Sequence, residues 1–198
     1  NAPHMVAISF DRHLYYPLLA LEDKGAVPLK LRPLAFDAPS EWMFVRDLEA
    51  FYNSSAGKEV IGRRSLYLLR NADREEKGLG FALAGNFYPD FLLWLVDDAT
   101  GKQWLTFVDP KGLRNLDLSH PKLRLYQEVK TLETTLAKAA KPGDNPLVLN
   151  AFILSPTQFS DLLNVGDATQ KADLAKRHVL FMEDGGHVYL RQLFAALT

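Results

Sequence analysis

The order of apolar and polar positions along the chain predicts alternating helices and strands. Leu14, Leu18 and Leu21 are spaced for one helix face between a capping Asp11 and about Asp23, with Gly25 as the stop. Pro28, Pro33 and Pro39 punctuate an extended connection. Ser40 is placed to cap a second helix, Glu41 to about Tyr52. Its stripe of Phe44, Val45, Leu48, Phe51 and Tyr52 recurs at helical spacing until Asn53-Ser54-Ser55. Arg64 to Arg70 reads as a strand, followed by a polar loop from Asn71 to Lys77. Phe87 to Val96 and Gln103 to Val108 read as two strands joined by the turn Asp98-Ala99-Thr100-Gly101.

Both faces of that hairpin are apolar, because Leu92, Trp94 and Val96 alternate with Phe91, Leu93 and Leu95. A half-exposed hairpin would carry polar residues on one face, so helices are expected on both sides. Ser119-His120-Pro121 opens a helix to Ala140, closed by Lys141-Pro142-Gly143. Leu147 to Leu154 follows as a buried strand, with Ser155 and Thr157 starting a short helix. A helix (Thr169 to Arg177), a strand (His178 to Met182), a turn at Gly185-Gly186 and an apolar segment (Val188 to Leu197) complete the pattern. The expectation is one α/β domain over residues 6–198, with a mixed central sheet flanked by helices. Asn1-Ala2-Pro3-His4-Met5 looks like a cloning scar ahead of an initiator methionine and is left out of the fold.

Composition removes several classes of function. The 198 residues carry 23 Lys+Arg against 24 Asp+Glu, a net charge of −1, too balanced for a protein that grips nucleic acid by charge alone. Without Cys there is no disulfide framework, thiolate zinc site, iron–sulfur cluster or cysteine nucleophile. No apolar run nears the ~18–20 residues of a membrane span, and no signal-peptide pattern is present, so a cytoplasmic location is expected. The phosphate-loop, nucleophile-elbow and dinucleotide-binding motifs are absent from the sequence. His13, His120, His178 and His187 lack metal-ligand spacing and read as cap or surface residues.

The candidate chemistry lies at the open end of the hairpin. Tyr88-Pro89-Asp90 enters the first strand and Asp109-Pro110-Lys111 leaves the second. With a four-residue turn at 98–101 and no bulge, opposed positions have numbers that total 199. Asp97 then faces Lys102, and Asp90 faces Asp109. Opposed residues put their Cβ atoms ~4.5–5.5 Å apart, where like charges are destabilising. Period-two alternation puts Lys111 on the face of Asp109. Two carboxylates held together beside an amine make sense around a divalent cation. Mg²⁺ takes oxygen ligands, commonly one or two carboxylates completed by water and substrate phosphate. Such a site suits metal-assisted phosphodiester hydrolysis, with Lys111 positioning hydroxide or stabilising developing charge.

Pro89-Asp90 followed, after 18 residues, by Asp109-Pro110-Lys111 resembles the signature of the PD-(D/E)xK nuclease superfamily. The order of elements from Ser40 to Leu154 fits it too. More narrowly, Leu69-Arg70-Asn71, Gly78-Leu79-Gly80-Phe81, Asn86-Phe87-Tyr88-Pro89-Asp90 and Phe107-Val108-Asp109-Pro110-Lys111-Gly112 resemble the endonuclease domain C-terminal to the helicase in type III restriction subunits and related phage-defence helicases. The resemblance implies a restriction-endonuclease-like core and a Mg²⁺-dependent DNA endonuclease, with Mn²⁺ as an alternative metal. Asp90 and Asp109 would bind metal and Lys111 would be catalytic.

The superfamily often adds a Glu from the first core helix. Glu41 is the best match and Glu49 its rival, although Glu41 could equally serve the helix dipole. A polar residue from the helix after the motif is also common, and Gln127 is the choice. Two departures stand out: Asp replaces the frequent Glu at position 109, and Pro110 occupies a place usually held by a strand-forming residue. Proline lacks a backbone donor, so the strand is expected to end or bulge there.

DNA is the expected partner. A helicase domain in the same full-length chain or a partner subunit would supply affinity, a homodimer would suit double-strand cutting, and no membrane is involved. Two alternatives stay open: a structure-specific repair or recombination nuclease, and an inactive nuclease fold serving as a DNA-binding or assembly module. For phosphate contacts, Lys111, Arg114, Lys122, Arg124 and Lys130 are favoured over Arg63, Arg64, Arg70, Arg74 and Lys77, which Glu59, Asp73, Glu75 and Glu76 dilute.

Overall fold

The computed structural model of the chain describes residues 36, 38–71, 88–115, 117, 119–166 and 168–197. The expected helix at 11–23 and most of the 71–77 loop lie outside them, as do the motif segments 78–81 and 86–87. Helix α1 runs from Pro39 to Asn53 and buries Phe44, Val45, Leu48 and Phe51, the stripe read from the sequence. Ser40 is not its cap. Ala38 takes that position and Pro39 opens the first turn, where a missing N–H costs nothing. Helix α1 ends at Asn53, as expected, and Ser54 is extended, at φ −78° and ψ 160°. Ser54 accepts from the Gly57 amide at 3.0 Å and starts a second helix, α2, Ser55–Ile61, which hydrophobic spacing had not revealed.

Five strands form one mixed sheet in the order β1-β2-β3-β4-β5. They are β1 (Ser65–Arg70), β2 (Phe91–Val96), β3 (Gln103–Pro110), β4 (Leu147–Ser155) and β5 (Val179–Phe181). The first three pair antiparallel and the last three parallel. Helix α3 (Leu125–Ala139), entered through a 3₁₀ turn at Pro121–Arg124, joins β3 to β4, and α4 (Lys171–Lys176) precedes β5. The apolar segment at the end is helix α5, Gly186–Ala195; Gly186 is its first residue, and only Gly185, at φ 82°, behaves as the turn.

Helices cover both faces, as the two apolar faces of the hairpin required. On one side, Phe44, Leu48 and Phe51 of α1 and Leu190 and Phe194 of α5 pack with Leu66, Leu68, Phe91, Leu93 and Leu95. On the other, Leu125 and Val129 of α3 lie against Leu92, Phe107, Leu149 and Ala151. The hairpin register follows the arithmetic, from Val96 opposite Gln103 to Phe91 opposite Val108.

β3 ends at Pro110, as expected, and it does so without a bulge. The β3–β4 pairing continues without interruption to Pro110 opposite Leu154. The Lys111 amide then donates to the Leu154 carbonyl at 2.9 Å, so the Pro110 nitrogen faces the other way, towards β2. There β2 has already given out, because the opposite position is Pro89. The missing donor therefore costs no ladder bond. The Pro110 carbonyl is satisfied by the Ser40 hydroxyl, which donates at 2.9 Å in a buried bond from α1.

Candidate functional site

Three elements end together beside β3. Asp90 sits immediately before β2, and its carbonyl accepts from the Asn71 amide at 2.8 Å, which ties it to the end of β1. Asp109 is the penultimate residue of β3, opposite Ile153 of β4, and is only 3% exposed. Strand alternation puts Asp90, Asp109 and Lys111 on the face of Leu92 and Phe107, beneath α3. The expected juxtaposition is present: the Asp90 carboxyl lies within hydrogen-bonding reach of Asp109.

Burial is the main reason that the Asp90 carboxyl is pushed up to about 8. The charge and hydrogen bond of Asp109 add to it, Glu41 adds further, and Arg70 opposes. Two carboxylates in one half-dry place cannot both ionise cheaply.

Glu41, on the first turn of α1, reaches the cluster from the other layer. It is 6% exposed, acts on Asp90 electrostatically, and pairs with Arg70 at 2.7 Å. Arg70 ends β1 and also lies over the Phe36 ring, 5.5 Å from its centroid. Glu49 stands two turns farther along α1, partly exposed, so of the two candidate glutamates Glu41 is the one beside Asp90.

Lys122 is the residue whose place the sequence least revealed. Its ammonium lies 3.4 Å from Asp109 Oδ2 and interacts with Lys111. Burial lowers its pKa and the Lys111 charge lowers it further, while Asp109 acts in the opposite direction. The 3₁₀ turn that aims it is capped by His120, whose Nδ1 accepts from the Lys122 amide at 3.2 Å. Sequence reading had placed Lys122 only on a basic surface. The Pro121 turn ahead of it was the available clue.

Gln127 is not gathered in. It is exposed on α3, and its amide donates to Tyr126 Oη at 3.1 Å. Arg63 and Arg64 are also engaged elsewhere, with Asp97 at 3.0 Å and with the Trp104 ring at 5.1 Å. His178 is no surface residue: its ring stacks on Phe152 at 4.3 Å, its Nδ1 lies 2.9 Å from the Ala151 carbonyl, and its backbone has φ 58°.

The donor set at this end is two carboxylates in contact, with a third acid held by an arginine. Among the described residues, no three His, Asp or Glu side chains converge closely enough to enclose a metal by themselves. Asp90 and Asp109 do fit a hard cation that keeps most of its shell as water and phosphate oxygen. Among the described residues, no helix is long and apolar enough to cross a membrane. No family model, curated protein or solved structure matches the chain.

Proposed function

We propose that the chain is a Mg²⁺- or Mn²⁺-dependent DNA endonuclease with a restriction-endonuclease-like core, working in the cytoplasm within a restriction or phage-defence helicase–nuclease. The observation that carries this reading is the buried contact of Asp90 with Asp109 at the open end of the β2–β3 hairpin, with Lys111 and Lys122 beside it. Like charges are brought together there at a cost to the folded chain, which makes sense where a cation is to be held. The order of helix, strand, hairpin, helix and strand in a mixed sheet supports the same family resemblance.

Asp90 and Asp109 would hold the cation. When bound, it would act as a Lewis acid towards the phosphodiester and lower the pKa of a coordinated water. Lys111, which neighbours Lys122, would orient the attacking water and offset charge on the phosphoryl oxygens. Glu41, kept in place by Arg70, adds negative potential beside Asp90. Gln127, exposed on α3, would need to turn from Tyr126 to orient a water. A near-neutral chain draws strong DNA affinity from a helicase domain or partner subunit, and a second copy would supply the second cut.

The test is calorimetric titration of Mg²⁺ and Mn²⁺, with plasmid nicking on the same samples, for wild type and for the Asp90→Ala/Asp109→Ala double variant. Binding and nicking in wild type, both lost in the variant, is the expected result. Identical traces would sink the reading. They would favour the second one, an inactive nuclease fold that serves as a DNA-binding or assembly module. That alternative draws support from the cations already lying against two of the acids, Arg70 on Glu41 and Lys122 on Asp109.

A further inference from the structure

Two cations meet acids at this end of the sheet, and they hold them differently. Arg70 forms an ion pair with Glu41 at 2.7 Å, through a planar guanidinium that also lies over Phe36. Lys122 meets Asp109 at 3.4 Å, beyond the ~2.7–2.9 Å of charge-assisted bonds, through one ammonium at the end of a flexible stem. The backbone beneath it is fixed by the His120 cap, while a fifth of the side chain stays open to solvent. Lys122 thus has a fixed backbone, a long contact to Asp109 and a way out to solvent.

Formal charge gives the second observation. Glu41, Asp90 and Asp109 face Arg70, Lys111 and Lys122, three acids against three bases. A divalent cation added to this group brings two positive charges into a partly dry place. The Lys122 ammonium competes for the Asp109 oxygen that the cation needs. A DNA phosphodiester offsets part of that charge, and Lys122, swung outward, would meet it.

We propose, building on the metal-site reading above, that Lys122 is an exchangeable counter-ion. It occupies Asp109 while no divalent cation is bound, and gives up that carboxylate for a DNA phosphate when one binds, so that DNA strengthens metal binding. Coupling of this kind is reciprocal: whatever DNA adds to metal affinity, metal adds to DNA affinity.

The experiment measures the Kd for Mn²⁺ by calorimetry on the whole chain without DNA, for wild type, Lys122→Met, Lys122→Gln and Lys122→Arg, with a thermal melt of each. Removing the resident cation should tighten Mn²⁺ binding roughly tenfold in both Lys122→Met and Lys122→Gln, the scale of one partly buried charge contact. Lys122→Arg, which keeps a cation there, should stay near wild type. A residue that merely supported the fold would move affinity the other way or leave it alone. Equal Kd values in wild type, Lys122→Met and Lys122→Gln would overturn the counter-ion role and leave the metal site standing. Weaker binding in both neutral variants would overturn it as well. Absence of Mn²⁺ binding in every protein would overturn the metal-site reading and this inference together.

Discussion

Two places in this molecule bring a pair of carboxylates to a lysine, and they behave in opposite ways. Near β5, Lys171 lies 2.8 Å from Glu183 and 2.6 Å from Asp184, with all three side chains a quarter to a third exposed. Burial alone would lower the Lys171 pKa, but the hydrogen bonds and charges of Asp184 and Glu183 together raise it. The Lys171 hydrogen bond lowers Glu183, helped by the Phe159 amide. Each charged form is favoured by its neighbour. At the end of the β2–β3 hairpin, Asp90 is instead raised and Lys122 lowered, burial being the first cause in both. Each charged form there is penalised.

The residue types are the same, so the difference comes from water. The β5 trio is solvated, and its Coulomb attraction meets little desolvation cost. In the hairpin cluster Asp109 is nearly sealed and the carboxylates face each other. On the proposed reading, a cluster that disfavours its own charges is one that an outside ion would relieve, whereas one that satisfies them stabilises the fold.

The largest effect should come from breaking the tight buried pair. Arg70→Met leaves Glu41 charged and buried without its guanidinium, and should cost about 3–5 kcal/mol in urea unfolding. Asp90→Ala or Asp109→Ala should lower plasmid nicking on the order of 10²–10³-fold, while Glu183→Ala and Asp184→Ala leave it within about twofold. Full nicking by Asp109→Ala would erase the functional side of the comparison.

The pH dependence of stability sharpens it further. In the folded chain Asp90 titrates near 8, well above an ordinary aspartate. It therefore binds a proton that the unfolded chain releases from about pH 4 upward. Its contribution is complete below about pH 4 and is lost as pH rises towards 8. Asp90→Asn should flatten that decline in metal-free thermal melts. Glu183 has the opposite sign: its folded value is lowered, so its contribution is present above the usual glutamate range and fades in acid. Glu183→Gln should therefore change only the acid limb. Smallest of all, Lys171→Met should cost less than about 1 kcal/mol, because its partners remain solvated.

Much of the frame was legible because it is local. The Asp98–Gly101 turn and the two apolar faces of the hairpin were enough to set its register. Parity along each strand then put Asp90 and Asp109 side by side. The stripe of α1 and the need for helices on both faces followed from periodicity alone. Helix α2 was hidden because seven residues with only Gly57 and Ile61 buried leave little amphipathic pattern.

Ser40 marks where a local rule misleads. It looked like a helix cap, whereas Pro110 does end its strand, and each answers the other. A serine hydroxyl from 70 residues away satisfies the carbonyl of a proline whose missing donor points past the end of β2. Lys122 and Arg70 were likewise visible only as scattered basic residues, since what distinguishes them is the acid each one meets.

The sequence by itself determined most of the elements, the hairpin register and the pair of acids, because turn chemistry and side-chain alternation act over a few residues. Only the tertiary structure decided which cations neutralise which acids, how dry each pair is, and therefore which of two similar charge clusters is strained. Those outcomes depend on solvent exclusion by α1 and α3, elements distant in sequence from the hairpin they cover, and no local pattern encodes that distance.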